Sequence, residues 1–219
     1  MTQDPRTIVR SHLEQSADVT LSAAAQCGVA VATAAHIIAE TFAAGGKLLL
    51  CGNGGSAADC QHVAAELVSR LTRDFERPGL PAIALTTDSS FLTAYANDVA
   101  FDGVFARQVQ ALGRPGDVLI AISTSGTSSN VLRAVETATA VGMTTIALTG
   151  RDGLRGANPT VTIAVPSTVT SHIQEAHLAL EHALCTLVER ALFPARDVVP
   201  LAEAMAVASP AARVLKLVP

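Results

Sequence analysis

The sequence predicts an α/β fold in which a parallel sheet is covered by helices on both faces. Three observations predict it. Five short apolar runs, at residues 47–51, 81–85, 117–123, 144–148 and 160–165, have the length of strands. Stretches with helical spacing of apolar residues separate them, the pattern of βαβ units around a buried sheet. The length of 219 residues suits one domain of ordinary size, and no fixed-period repeat intervenes.

Each element follows from a local signal. Residues 5–26 and 29–44 read as two helices rich in Ala, Val and Ile, and Gly45-Gly46 closes the second. The first strand is Lys47-Leu48-Leu49-Leu50-Cys51. Residues 56–71 form a helix with Ser56 as N-cap and Asp59 at its third position, an acid in the first turn as in a capping box. After the strand at 81–85 come helices at 88–97 and 104–111. The strand at 117–123 leads into a helix at 128–141. Two more strands precede a last helix at 169–192, which stops before Pro194. The expected domain is residues 1–194; residues 195–219 form an Ala-rich tail that is either loose or helical near 201–208.

Composition excludes several classes. Lys+Arg is 15 against Asp+Glu 19, a net charge of −4, so the footprint of a nucleic-acid binder is missing. Six Phe, one Tyr and no Trp leave few platforms for stacking bases. The N-terminus carries charges throughout and shows no signal-peptide core. No run approaches the ~20 apolar residues of a membrane span. Cys27, Cys51, Cys60 and Cys185 show no C-x-x-C pairing and read as reduced, buried thiols of a cytoplasmic protein. Only 16% of residues are charged, against about 25% in typical domains, so some apolar surface needs a cover.

In an open parallel sheet, ligands bind beyond the carboxyl ends of the strands. Two loops stand there. Cys51-Gly52-Asn53-Gly54-Gly55-Ser56 lets backbone N–H groups approach an anion at a helix N-terminus. Ser123-Thr124-Ser125-Gly126-Thr127-Ser128 rings the next site with hydroxyls. Neither carries a Walker lysine or a G-x-G-x-x-G pattern. Either loop alone is also ordinary turn chemistry; two at equivalent strand ends point to a phosphate. His62 and Glu66, at i, i+4, share a helix face within two turns of the glycine loop. The pair suits a metal, a carboxylate base with a His partner, or a plain surface pair. In the last helix His172, His177 and His182 fall within eleven residues. Gln174 and His182 are about 12 Å apart along the axis. They share one ion only if their side chains lean together or a neighbouring subunit contributes. His177 is offset from both and reads as a locally hydrogen-bonded histidine.

The motifs CGNGGSAADCQHVAAEL, PAIAL, AND, GDVLIAISTSGTSSNVLRA, TTIALTG and IQEAHLALEH occur in this order. Together, over about residues 20–194, they resemble the phosphoheptose isomerases, the sedoheptulose 7-phosphate isomerases of the sugar isomerase (SIS) superfamily. The resemblance implies a flavodoxin-like three-layer sandwich with a five-stranded parallel sheet. It implies a homotetramer with active sites between subunits and the N-terminal helices in the interface. Asn53, Gly54, Gly55, Ser56, Asn97 and Asp98 match substrate-binding positions. Ser123, Thr124, Ser125 and Ser128 match the phosphate site. His62, Glu66, Gln174 and His182 match ligands of one zinc ion (Zn2+) per subunit, and Glu66 and His182 match the acid/base pair of an enediol isomerisation. No nucleic-acid or membrane partner is implied.

The chain departs from the family pattern in places. Ser171-His172 stands where an acidic residue and Arg are usual before Ile-Gln-Glu, and Arg151-Asp152-Gly153-Leu154 lacks a second glycine. The extension beyond Pro194 is not typical. The alternative relative is a non-catalytic SIS protein that binds the bacterial replication initiator, to which FERPGLPAIALTTD is similar. That relative lacks Glu and His at the positions of Glu66 and His182, and this chain keeps both.

Overall fold

The computed structural model describes residues 4–73 and 75–194. Five parallel strands form one sheet in the order β2-β1-β3-β4-β5. They are β1 (Leu48–Gly52), β2 (Ala82–Ala84), β3 (Val118–Ser123), β4 (Thr144–Thr149) and β5 (Val161–Ala164). All eleven residues of β1 and β3 are buried, as strands covered on both faces require.

Alternation along the strands divides the core into two layers. Leu48, Leu50, Val118, Ile120 and Ile122 face one layer, against α1 (Pro5–Ala43), α2 (Gly55–Val68) and α6 (Thr170–Leu192). Leu49, Cys51, Leu119 and Ala121 face the other, against α4 (Val104–Leu112) and α5 (Ser129–Val141). Partly buried Phe91, Leu92 and Tyr95 of α3 (Ser89–Asp98) extend that second layer. A 3-10 turn, Phe101–Gly103, links α3 to α4. Each fully buried Leu of β1 contributes about 1.5–3 kcal/mol. The three-layer α/β sandwich expected from the sequence is the observed architecture.

Three boundaries differ from expectation. The two N-terminal helices are one helix, α1, of 39 residues and roughly 58 Å. Gly28 falls between the two expected helices; an interior glycine costs only about 1 kcal/mol, and the buried Cys27 and Val31 on either side pack into the core. Pro5 stands in the first turn of α1, and the Asp4 carboxylate accepts from the Arg6 N–H, so the start is well marked. Second, α2 begins at Gly55 with Gly54 as its N-cap, so Ser56 is a buried first-turn residue and Asp59 lies beyond that turn. Third, α2 ends at Val68. The tail helix considered for 201–208 lies outside the described residues.

Helix α1 is also long and apolar enough to match a membrane span, with a mean hydropathy of 1.5 in its richest stretch. Its many alanines hide that in a search for bulky apolar runs. A third of the stretch is buried in the fold, where Ala23, Cys27, Val31, Ala34 and Ala35 join the core. Small side chains on α1 meet Ala176 and Leu184 of α6, which lets the two helices approach closely. The four cysteines are free and buried, as expected. Burial pushes the Cys51 and Cys185 thiols up to about 12, which keeps them protonated and unreactive.

Candidate active site

The strand order places a topological switch between β1 and β3, because the chain leaves β1 for one edge and returns on its other side. The glycine loop follows β1 and the hydroxyl loop follows β3, so both open at that switch. A reciprocal amide pair ties them together. Asn53 Nδ2 donates to Asn130 Oδ1 at 2.9 Å, and Asn130 Nδ2 donates to Asn53 Oδ1 at 2.8 Å.

In the hydroxyl loop Ser123 Oγ donates to Ser128 Oγ at 3.2 Å and accepts from the Gly126 N–H at 3.2 Å. Ser125 Oγ accepts from the Thr127 N–H and hydroxyl. Ser128 occupies the N-cap of α5, but its hydroxyl makes no capping bond. The first N–H groups of α5 therefore face the loop with the helix dipole behind them, an arrangement suited to a phosphate. Gly126 has φ +68°, and a Cβ there would lie 1.9 Å from the Gly153 carbonyl oxygen. The loop at 150–156 thus braces the hydroxyl loop, and the Arg155 N–H donates to Gly126 O at 2.8 Å.

The second half of the site is made of side chains. His62 Nε2 lies 2.8 Å from His182 Nε2, with the rings edge to face. Glu66 Oε1 lies 3.9 Å from His62 Nε2. The donor atoms of His62, Glu66 and His182 all lie within 4.8 Å of one another. Glu66 Oε2 is buried and has no hydrogen-bond partner among the described residues. Two imidazoles and a carboxylate with an unsatisfied oxygen fit a divalent metal of the zinc type. Gln174 lies at the start of α2: a Cβ on Gly55 would fall 2.3 Å from Gln174 Nε2, so only glycine leaves room for that amide. The helix α6 therefore lays Gln174 and His182 along α2, which carries His62 and Glu66.

Arg77 holds the Glu66 end of α2 in place. Its guanidinium donates to Glu66 O at 2.8 Å, to Leu67 O at 2.7 Å and to Glu189 of α6 at 2.6 Å, with both charged side chains buried. A buried arginine is costly unless every donor is used, and here it staples α2 to α6.

Asn97 and Asp98 are bonded to each other at 2.7 Å at the exposed end of α3, and among the described residues no hydrogen bond joins them to the loops. His177 is fully buried, and its hydrogen bond is not local as expected: Nε2 donates to Thr149 O of β4 at 3.1 Å, and burial pulls its imidazole down to about 4. Three residues escape the sequence reading. Asn130 gave a faint signal, a polar residue in the first turn of a helix after a hydroxyl loop. Arg77 gave none. Glu181 reads as an ordinary surface acid but is buried beside His182, with neither oxygen hydrogen-bonded among the described residues. Burial, with the Asp59 charge as a lesser cause, pushes its carboxyl up to about 8. Asp59 is likewise raised by burial, against the opposing pull of His62.

The SIS domain family matches residues 12–150. A phosphoheptose isomerase of Roseiflexus sp. (strain RS-1) is 52% identical over 189 residues, covering 84% of this chain and 93% of the relative. One from Shewanella loihica (strain ATCC BAA-1088 / PV-4) is 47% identical over 194 residues, covering 86% and 97%. The chain belongs to the phosphoheptose isomerase family. It is thereby an enzyme of the aldose–ketose isomerase class. Solved structures agree. The phosphoheptose isomerase from Francisella tularensis superposes with a TM-score of 0.81 at 38% identity, covering 86% of this chain and 100% of that one. The one from Neisseria gonorrhoeae gives 0.77 at 43% identity, covering 85% and 99%. The phosphoheptose isomerase motifs that the sequence shares are thus carried on the same SIS sheet.

Proposed function

We propose that this chain converts D-sedoheptulose 7-phosphate to D-glycero-D-manno-heptose 7-phosphate, the first step towards a nucleotide-activated heptose. Family membership makes it a sugar-phosphate isomerase; the substrate and the proton path are the finer reading. The observation that carries it is the meeting of His62, Glu66 and His182 on helices that border two anion-suited loops.

The phosphate is received by the hydroxyls of Ser123, Thr124, Ser125 and Ser128 and by the first N–H groups of α5. Asn53, Gly54, Gly55 and Ser56 bind the sugar from the β1 side, and Asn97 and Asp98 complete the substrate set. Glu66 carboxylate takes the proton from C1 of the ketose. The electron pair left behind forms the C1–C2 double bond, and the C2 carbonyl oxygen gains a proton, giving a cis-enediol. O1 then loses its proton as the C1 carbonyl forms, and a proton returns to C2, so the sum is an isomerisation with no net proton change. His182 moves protons to and from oxygen or the second carbon. His62, Glu66, Gln174 and His182 are the residues that would hold one zinc ion. Bound there, zinc would supply Lewis-acid polarisation of the carbonyl or order the site. The retained Glu66 and His182 weigh against the non-catalytic, initiator-binding reading.

We read the enzyme as a cytoplasmic homotetramer. The sparse charge of the chain and the exposed Ile8, Val9, Leu13 and Leu21 of α1 support a subunit interface there. Purified protein with zinc is expected to turn sedoheptulose 7-phosphate into the aldoheptose phosphate. Absence of turnover would overturn the substrate assignment. A stable monomer by light scattering would overturn the tetramer.

A further inference from the structure

A second cluster of the same chemistry lies between α1 and the start of α6, and the catalytic reading assigns it no role. His12 comes from α1; His172 and Glu175 come from the first turns of α6. His12 Nε2 is 2.7 Å from Glu175 Oε1. The His12 and His172 rings lie 4.9 Å apart, tilted by 54°. One donor atom from each of the three residues lies within 4.8 Å of the other two. His172 is only 4% exposed, and among the described residues no hydrogen bond engages its ring nitrogens. Both imidazoles line a cleft with Ile8, Ser11, Gln15 and Ser171.

We propose that His12, His172 and Glu175 form a second divalent-metal site of the zinc type. Two imidazoles exclude magnesium and calcium as the preferred ions, since both favour oxygen ligands. Tetrahedral zinc, with bonds of about 2.0–2.1 Å, needs donor atoms roughly 3.3 Å apart, so the three side chains need only small rotations. Three protein ligands leave one position for water from the cleft. Glu175 is already oriented, with Oε1 held 2.7 Å from His12 Nε2. The first buried residue of α1 is Ala23, and partly buried Val19 is the one apolar side chain before it that packs against the core among the described residues. A metal here clasps that arm to α6 beside Gln174.

The inference does not depend on the isomerase reading, and the test separates the two. Tag-free full-length protein is stripped with chelator and titrated with Zn2+, with Co2+ absorption as a second readout. Wild type is expected to bind two ions per chain. His62→Ala combined with His182→Ala should lose one, and adding His12→Ala should lose the other. His12 is 41% exposed, so its truncation leaves the core intact. In the His62→Ala/His182→Ala background, saturating zinc should raise Tm by at least about 4 °C, and His12→Ala or His172→Gln should abolish that shift. If only the catalytic metal assignment is wrong, wild type binds one ion, and His12→Ala alone removes it. The proposal is overturned if His12→Ala binds as many ions as its parent. Should the double variant fail to fold, wild type against His12→Ala alone decides by the same count.

Discussion

The hydroxyl loop after β3 and the His–Glu cluster across α2 and α6, the two halves of the proposed site, are built in opposite ways. The loop is contiguous in sequence, and much of what it offers an anion is backbone: N–H groups at the start of α5, aimed by the turn through Gly126 and braced by Gly153. The cluster is made of side chains only, and its two halves are 120 residues apart in sequence. A backbone site should tolerate the loss of one side chain but not a change in chain path. A side-chain site should behave the other way round.

Four measurements can break or sharpen that contrast. The largest effect should come from Glu66→Gln, which keeps shape and removes the base; kcat is expected to fall about 10²–10⁴-fold with Tm unchanged. A kcat within tenfold of wild type would take Glu66 out of the mechanism. Next is Gly126→Ala, where the added Cβ meets backbone rather than a flexible side chain, at a φ of +68°. Destabilisation by more than about 2 kcal/mol, read by chemical denaturation, is expected together with lost phosphate binding. Ser128→Ala removes one hydroxyl and leaves the N–H groups, so KM should rise about tenfold with kcat nearly constant. A collapse of activity would show that the loop is a side-chain site after all.

The smallest effect is a slope with pH. His177 titrates at about 4 in the folded chain, against 6.5 when free, because burial disfavours its charge. Between those values the unfolded chain takes up a proton that the folded chain refuses. Its contribution is therefore complete above pH 6.5 and is lost as pH falls towards 4. About 1 kcal/mol should disappear between pH 6.5 and about 5.5, and His177→Gln should flatten that part of the denaturation-midpoint profile.

The same contrast explains what could be read from the sequence. Leu48-Leu49-Leu50 announces a strand because apolar residues on both faces leave no other partner than two helical layers. The hydroxyl loop is legible because its parts are neighbours. His62 and Glu66 are legible as a pair on one helix face, but nothing in their spacing names His182 as the third member; only the family resemblance joins them. Arg77 and Glu189 are invisible as a buried pair, since charge in a sequence reads as surface. Ser56 was misplaced as a cap because a glycine with positive φ can start a helix without any side-chain help. The single helix α1 reads as two, at 5–26 and 29–44, because packing from Ala23 to Ala35, which carries it across the gap, leaves no local signal.

The outer strands of the sheet are its shortest: β2 has three residues and β5 four, against six in β3 and β4. An unpaired strand margin is a template on which another chain can add backbone hydrogen bonds. Three or four residues offer too few such bonds to hold a foreign strand, so the sheet resists growing sideways into a fibril. The surface left for pairing with another copy is that of the helical layers, where side-chain shape rather than generic backbone chemistry selects the partner.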